Sequence, residues 1–141
     1  MLKEKEKMFR YIDAVAPQMA AMSDDIFDHP ELGLNEFALL TDWLEQEGFA
    51  VERGVAGVET AFRAIYHHGN GGPNIGLLCE YDALPEIGHA CGHQLQGPSI
   101  LAAAAALKNS EADGNYTVTV YGTPAEESVS GKIMMLKNGC T

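Results

Sequence analysis

The sequence predicts an α/β protein, and three features of its apolar pattern indicate this class. Apolar residues near the start recur at spacings of three and four, which is the period of a helix packed along one face. Short runs with strand character follow at 61–67, 74–81 and 116–121. Five consecutive alanines, 102–106, precede the last run and favour a helix packed closely against a sheet. We therefore expect α/β layers with at least one parallel crossover.

Two helices are predicted before the first strand. The first runs from residue 2 to about 27 on the apolar positions Met8, Ile12, Val15, Met19, Met22 and Ile26. Pro30 disfavours helical geometry at His29, so this helix should end there. The second begins near Asn35, a favourable N-cap residue, and ends at Gly48.

The runs 61–67 and 74–81 are predicted to pair as a β-hairpin. The first alternates apolar and polar residues, the second is continuously apolar, and the glycine-rich segment 68–73 joins them. A helix over 95–109 and the strand 116–121 follow. Residues 133–136 predict one or two turns of a last helix.

Composition and charge limit the classes of function. A length of 141 residues suits one domain, and 46% apolar residues support a packed core. The formal charge of -11 repels phosphate backbones and anionic lipid head groups, so we expect no nucleic-acid partner and no membrane partner. The sequence shows neither a secretory h-region nor a spanning apolar run, which predicts a cytoplasmic protein. Three cysteines, an odd number, predict reduced thiols.

The segment 80–93 carries the densest set of chemically versatile side chains. Cys91 and His93 are separated by one glycine, which lets the backbone turn so that both can face one ion. A carboxylate such as Glu80 or Asp82 beside a ligand imidazole can fix its tautomer. The segment follows a predicted buried strand, so its polar groups should emerge where α/β sheets bind ligands.

Glu126 and Glu127 form the second candidate motif. They follow the strand 116–121, and the intervening Gly122-Thr-Pro124 can redirect the chain so that adjacent carboxylates serve different tasks. One of them can ligate a metal ion while the other accepts a proton from water, as hydrolysis requires. A solvated pair of surface glutamates is the alternative.

Two further interpretations are open at this point. A cysteine-protease interpretation makes Cys91 the nucleophile and His89 or His93 its base. A histidine two residues away is poorly placed to activate the thiol, and this interpretation leaves the two glutamates without a role. In the second interpretation, the segment 80–93 is a solvated loop without a catalytic role, and Asp82 is a turn-forming residue.

Four motifs, in this order, resemble a known enzyme family: Asp28-His-Pro-Glu-Leu-Gly33, Cys79-Glu-Tyr-Asp-Ala-Leu-Pro85, Gly88-His-Ala-Cys-Gly-His93 and Gly122-Thr-Pro-Ala-Glu-Glu127. The family is the amidohydrolase branch of the co-catalytic metallopeptidases. Within it, the motif sequences are most similar to those of aminobenzoyl-glutamate hydrolase-like and dipeptidase-like members. The resemblance implies an incomplete three-layer α/β/α catalytic domain with a mixed sheet. Residues 1–141 would be its N-terminal part, without the lid or dimerisation domain and the C-terminal part.

The resemblance also implies a reaction and residue roles. The reaction is hydrolysis of an amide bond in an N-acyl amino acid, an aminobenzoyl-glutamate-like compound or a dipeptide, by a water held between two divalent ions, zinc or manganese. Cys91, His93 and Glu127 correspond to metal ligands. Glu126 corresponds to the general base, and Asp82 to a residue that orients a ligand.

The sequence after Glu127 contains no histidine to complete a two-ion site. We therefore expect the chain alone to be inactive. After the helix 133–136, a strand edge and apolar sheet surface should remain uncovered, which predicts a homo-oligomer. The alternative is a non-catalytic structural or self-associating remnant of such an enzyme. His89 matches the motif without a ligand role, and Gln94 stands where many family members carry Asp or Asn.

Overall fold

The computed structural model describes residues 2–30 and 35–140. These residues form five helices and four strands, with a short 3-10 turn at Val55–Gly57. The helices are α1 (Leu2–Asp28), α2 (Asn35–Gln46), α3 (His93–Asn109), α4 (Glu126–Val129) and α5 (Gly131–Lys137). The strands are β1 (Ala50–Arg53), β2 (Phe62–His68), β3 (Asn74–Cys79) and β4 (Tyr116–Gly122).

The four strands form one mixed sheet in the order β1-β2-β4-β3. β4 pairs antiparallel with β2 and parallel with β3, and β1 pairs antiparallel with β2. The chain passes from β3 through α3 to β4, which is the parallel crossover that the sequence predicts. The α/β class with a mixed sheet is confirmed.

The predicted hairpin of β2 and β3 is wrong, because β4 lies between these two strands. β4 carries the buried residues Val118 and Val120, and a central position gives it a hydrogen-bonded partner on both sides. The glycine-rich connection packs against the start of β4: a Cβ at Gly72 would lie 1.8 Å from the carbonyl oxygen of Asn115. Local periodicity identified β2, β3 and β4, but it does not determine which strands pair.

One face of the sheet is covered by helices and carries the main core. α1 packs along α3, and α2 and α3 contact the sheet. The alanines of α3 allow this close approach, since Ala104, Ala105 and Ala106 are fully buried. The sheet contributes buried side chains that alternate along the strands and include Phe62, Ala64, Val118 and Val120.

The other face is covered at one end by α5. This helix lies beside Leu78 and Tyr121, at the carboxyl ends of β3 and β4. Its buried Met135 joins Val55 and Ala61 in a second, smaller cluster. Within residues 2–30 and 35–140, the second helical layer is therefore represented by α5, in keeping with an incomplete three-layer arrangement.

The helix ends agree with the predicted signals. α1 ends at Asp28, one residue before the predicted stop at His29, and α2 begins at Asn35. The motif 28–33 is described only in part, because residues 31–33 lie outside the described residues. None of the helices in the described ranges combines the length and the apolar character needed to cross a membrane.

Candidate metal centre

The two candidate motifs lie side by side because their strands are parallel neighbours. Cys79, the last residue of β3, is the partner of Gly122, the last residue of β4. Beyond this pair, Thr123 donates its backbone N–H to the Cys79 carbonyl oxygen at 2.8 Å. The segments 80–93 and 123–127 therefore leave the sheet at the carboxyl ends of β3 and β4, where ligand sites are expected in α/β folds.

A short closed loop and one glycine direct the first motif. Leu84 and Gly88 exchange two backbone hydrogen bonds, of 2.9 and 3.1 Å, which close the loop between them. Gly92 has a φ of 85°, a left-handed conformation that glycine adopts without steric cost. This residue caps α3, so His93 becomes the first residue of the helix and points back to the sheet edge.

Asp82 fixes the His93 ring through hydrogen bonds from its Nδ1 atom. The His93 Nδ1 atom lies 3.1 Å from Asp82 Oδ1 and 3.0 Å from the Asp82 carbonyl oxygen. Both of these oxygens are acceptors, so Nδ1 must donate. The other carboxylate oxygen, Oδ2, accepts the backbone N–H of Glu127 at 3.1 Å. Asp82 is only 3% exposed, and it links the two motifs while directing His93 Nε2 forward.

His93 Nε2 faces two carboxylates. Glu80 Oε2 lies 3.1 Å from it and Glu127 Oε1 lies 3.6 Å from it. The Cys91 thiol, which is exposed, is hydrogen-bonded to the same Glu127. This hydrogen bond, followed by desolvation and the negative charges of Glu127 and Asp82, raises the pKa of Cys91. Glu127 thus contacts both of the other residues predicted as metal ligands, His93 and Cys91.

A lysine outside the predicted motifs completes the cluster. Lys132, on α5, forms ion pairs with Glu80 Oε1 and with Glu126 Oε1, the latter at 3.3 Å. Partial burial acts to lower the pKa of Lys132, but the hydrogen bonds to Glu80 and Glu126 outweigh it, and the pKa is raised. The sequence indicates the need for such a lysine only indirectly, because four carboxylates predicted close together require positive charge nearby.

Two further polar groups flank the cluster. His89 is buried in the loop that precedes α3. Gln94, in the first turn of α3, has a buried side-chain oxygen without a hydrogen-bond partner among the described residues.

Comparison with known proteins identifies the family. Residues 76–141, which include both motifs, match the family described as peptidase family M20/M25/M40. The chain belongs to this family. The prediction from the four motifs is confirmed.

Curated proteins similar to the chain come from bacteria and mammals. One subunit of the p-aminobenzoyl-glutamate hydrolase of Escherichia coli (strain K12) is 37% identical over 95% of the chain and 33% of that protein. The Xaa-Arg dipeptidase of Mus musculus is 39% identical over 96% of the chain and 35% of that protein. The chain therefore spans about a third of the length of these relatives.

A solved structure shows the same fold. The Bacillus subtilis YXEP protein, described as a dinuclear metal binding peptidase from the M20 family, superposes with a TM-score of 0.75. It is 27% identical, and the alignment covers 90% of the chain and 40% of that protein.

The side chains of this M20 chain fit a divalent cation by their chemistry. As they stand, no group of three or more His, Cys, Asp or Glu side chains among the described residues is arranged so that it could hold a metal ion. However, in a neutral His93 ring whose proton is on Nδ1, Nε2 is an acceptor that faces the carboxylate oxygens of Glu80 and Glu127. Such atoms need a positive charge between them. The roles of the five predicted site residues remain predictions.

Proposed function

We propose that the chain supplies one wall of the active site of a metal-dependent hydrolase. The substrate class is an amide bond in an N-acyl amino acid, an aminobenzoyl-glutamate-like compound or a dipeptide. The observation that supports this most directly is the convergence of the Glu80 and Glu127 carboxylates on His93 Nε2, a set of atoms that a divalent cation would bridge. The names of the M20 relatives, an aminobenzoyl-glutamate hydrolase and a dipeptidase, support the substrate class.

Cys91, His93 and Glu127 are the residues that would hold the ion. A thiolate with an imidazole suits zinc, and the carboxylate also accepts manganese. A bound divalent ion supplies Lewis acidity, which polarises a carbonyl and makes water a stronger nucleophile. Asp82 contributes by fixing the His93 ring through Nδ1, so that Nε2 remains directed toward Glu127.

Glu126 is the proposed proton acceptor. Its Oε1 is paired with Lys132, whereas its Oε2 is buried and has no hydrogen-bond partner within the described residues. Oε2 is thus the atom available to take a proton from the attacking water and pass it to the leaving amine. The adjacent Glu127 is committed to His93 and Cys91, so the two glutamates serve different tasks.

Alkylation of Cys91 tests the metal site without requiring turnover. We expect added Zn²⁺ to slow modification of Cys91 about tenfold when the free ion is about ten times its Kd. Cys140, which lies outside the cluster and is partly exposed, serves as the internal control. Glu127→Gln should abolish this protection and Glu126→Gln should retain it, as measured by mass spectrometry of peptides.

Activity gives the complementary measurement. Where hydrolysis of an N-acyl amino acid or a dipeptide is detected, Glu126→Gln should lower the turnover rate by about 10²–10⁴-fold. Equal loss of Cys91 protection in the two glutamate variants would contradict the assigned roles. Equal protection of Cys91 and Cys140 would contradict the metal site itself.

A further inference from the structure

We propose that Lys132 is a built-in counter-ion of the acidic cluster, and that it opposes the binding of a divalent ion. This inference rests on the proposed function, because it concerns the same site. It assigns to one lysine of α5 two linked effects: it stabilises the cluster when no divalent ion is bound, and it weakens the affinity of the site for such an ion.

The contacts of Lys132 place it inside the cluster rather than at its rim. Its ammonium group pairs with one oxygen of Glu80 and one oxygen of Glu126. The second oxygen of Glu80, Oε2, is the atom 3.1 Å from His93 Nε2. Lys132 is therefore separated by a single carboxylate from a predicted metal ligand. Its side chain is 30% exposed and that of Glu80 is 17% exposed, so solvent screens these charges only in part.

The backbone determines the position of Lys132. The preceding residue, Gly131, packs so closely on the turn before Glu126 that a Cβ would lie 1.9 Å from the carbonyl oxygen of Pro124. At the other side of α5, Met135 is buried against Val55 and Ala61. Residues on both sides of Lys132 are thus fixed by packing, and this packing places the lysine beside the two carboxylates.

The charges define the expected direction of each effect. Four carboxylates, those of Glu80, Asp82, Glu126 and Glu127, surround His93 and Lys132. Removal of the ammonium group leaves the carboxylates to repel one another when no other cation is present. The same removal eliminates repulsion between the ammonium group and an incoming divalent ion, and it frees Glu80 and Glu126.

Titration calorimetry with Mn²⁺ or Zn²⁺ on the full chain tests the inference. We expect Lys132→Met to bind the ion about tenfold more tightly than the wild type, because the repulsion from one nearby positive charge is lost. Lys132→Arg, which keeps the charge, should bind like the wild type. Lys137→Met is the matched control, since Lys137 is exposed in the last turn of the same helix.

Thermal unfolding gives a second readout. In EDTA, Lys132→Met should unfold at a lower temperature than the wild type, and a saturating divalent ion should remove or reverse that difference. Lys137→Met should show neither change. If Lys132→Met does not fold in EDTA, Lys132→Gln replaces it, because this side chain is polar and uncharged.

The outcomes separate this inference from the proposed function. Tighter binding by Lys132→Met, or binding by that variant alone, supports the counter-ion role. Equal affinity in the wild type and Lys132→Met would overturn the counter-ion role and leave the proposed metal site intact. Absence of binding in both proteins would overturn both.

Discussion

The two faces of the sheet are built from the same strands and differ in almost every other respect. On the face under α1, α2 and α3, Phe62, Ala64, Val118 and Val120 are fully buried. On the opposite face, Leu78 of β3 is 48% exposed, and α5 covers only the carboxyl end. Alternation along each strand assigns these residues to opposite faces. The covered face therefore accounts for most of the burial that stabilises the fold.

The candidate site lies at the carboxyl ends of β3 and β4, and it combines buried residues with exposed ones. Asp82 and His93 are 3% and 7% exposed, which is close to the burial of the core. Cys91 is exposed and Glu127 is partly exposed. In this arrangement the buried Asp82 and His93 are held in place by their surroundings, while the more exposed Cys91 and Glu127 leave the site accessible to an ion.

Truncation of a covered residue should have the largest effect on stability. Phe62→Ala removes a fully buried ring that stacks on Tyr81, and we expect it to lower the free energy of unfolding by about 3–5 kcal/mol. Leu78→Ala on the open face should cost less than about 1 kcal/mol, because much of that side chain is already in water. Urea unfolding measures both. Similar losses would show that the open face is covered in solution.

Added volume should distinguish the faces in the same way. A Cβ at Gly122 would lie 2.0 Å from the ring of Phe62, so Gly122→Ala should destabilise the protein by about 1–3 kcal/mol. Gly76→Ala on β3 is the matched control, because its Cβ would meet Tyr121 at an ordinary distance of 3.5 Å. Calorimetric unfolding of the two variants should show a clear difference. A tolerated Gly122→Ala would mean that Phe62 can move aside and that the covered face is packed less tightly than these distances indicate.

Most local elements and the parallel crossover could be predicted from the sequence, and the order of the strands in the sheet could not. The predicted helices 2–27 and 95–109 correspond to Leu2–Asp28 and His93–Asn109, and the strand 116–121 to Tyr116–Gly122. Periodicity is a local property and reports which face of an element is buried. The insertion of β4 between β2 and β3 depends on contacts between distant segments. β1 was missed because Ala50–Arg53 is short and largely exposed.

The same division applies to the candidate site. Two motifs after two strands predicted to be buried led us to expect that Cys91, His93 and Glu127 would meet. In the structure β3 is largely exposed, and Glu127 contacts both His93 and Cys91. Lys132 could not be predicted, because its contacts with Glu80 and Glu126 depend on how α5 folds back on the sheet edge. Nothing in the residues adjacent to Lys132 signals this contact.

The open face and the edge of β3 lead to the last prediction, which has the smallest expected effect. Within residues 2–30 and 35–140, β3 pairs with β4 alone, and Ile75 and Leu78 on it are 36% and 48% exposed. An apolar edge strand is a template for pairing with another chain. We propose that the chain forms a homo-oligomer through this edge, with association that increases with concentration in sedimentation velocity.

Charge placed on this edge should weaken the association. We expect Leu78→Lys to shift the protein toward monomer, since a lysine on an edge strand opposes pairing with a second strand. Phe9→Lys is the matched control: Phe9 is also exposed, at 55%, but it lies on α1, away from β3. An equal shift in both variants would indicate nonspecific apolar association rather than pairing at β3. A wild-type chain that stays monomeric at every concentration would contradict the prediction, because the edge would then be protected by its own twist and solvation rather than by a second copy.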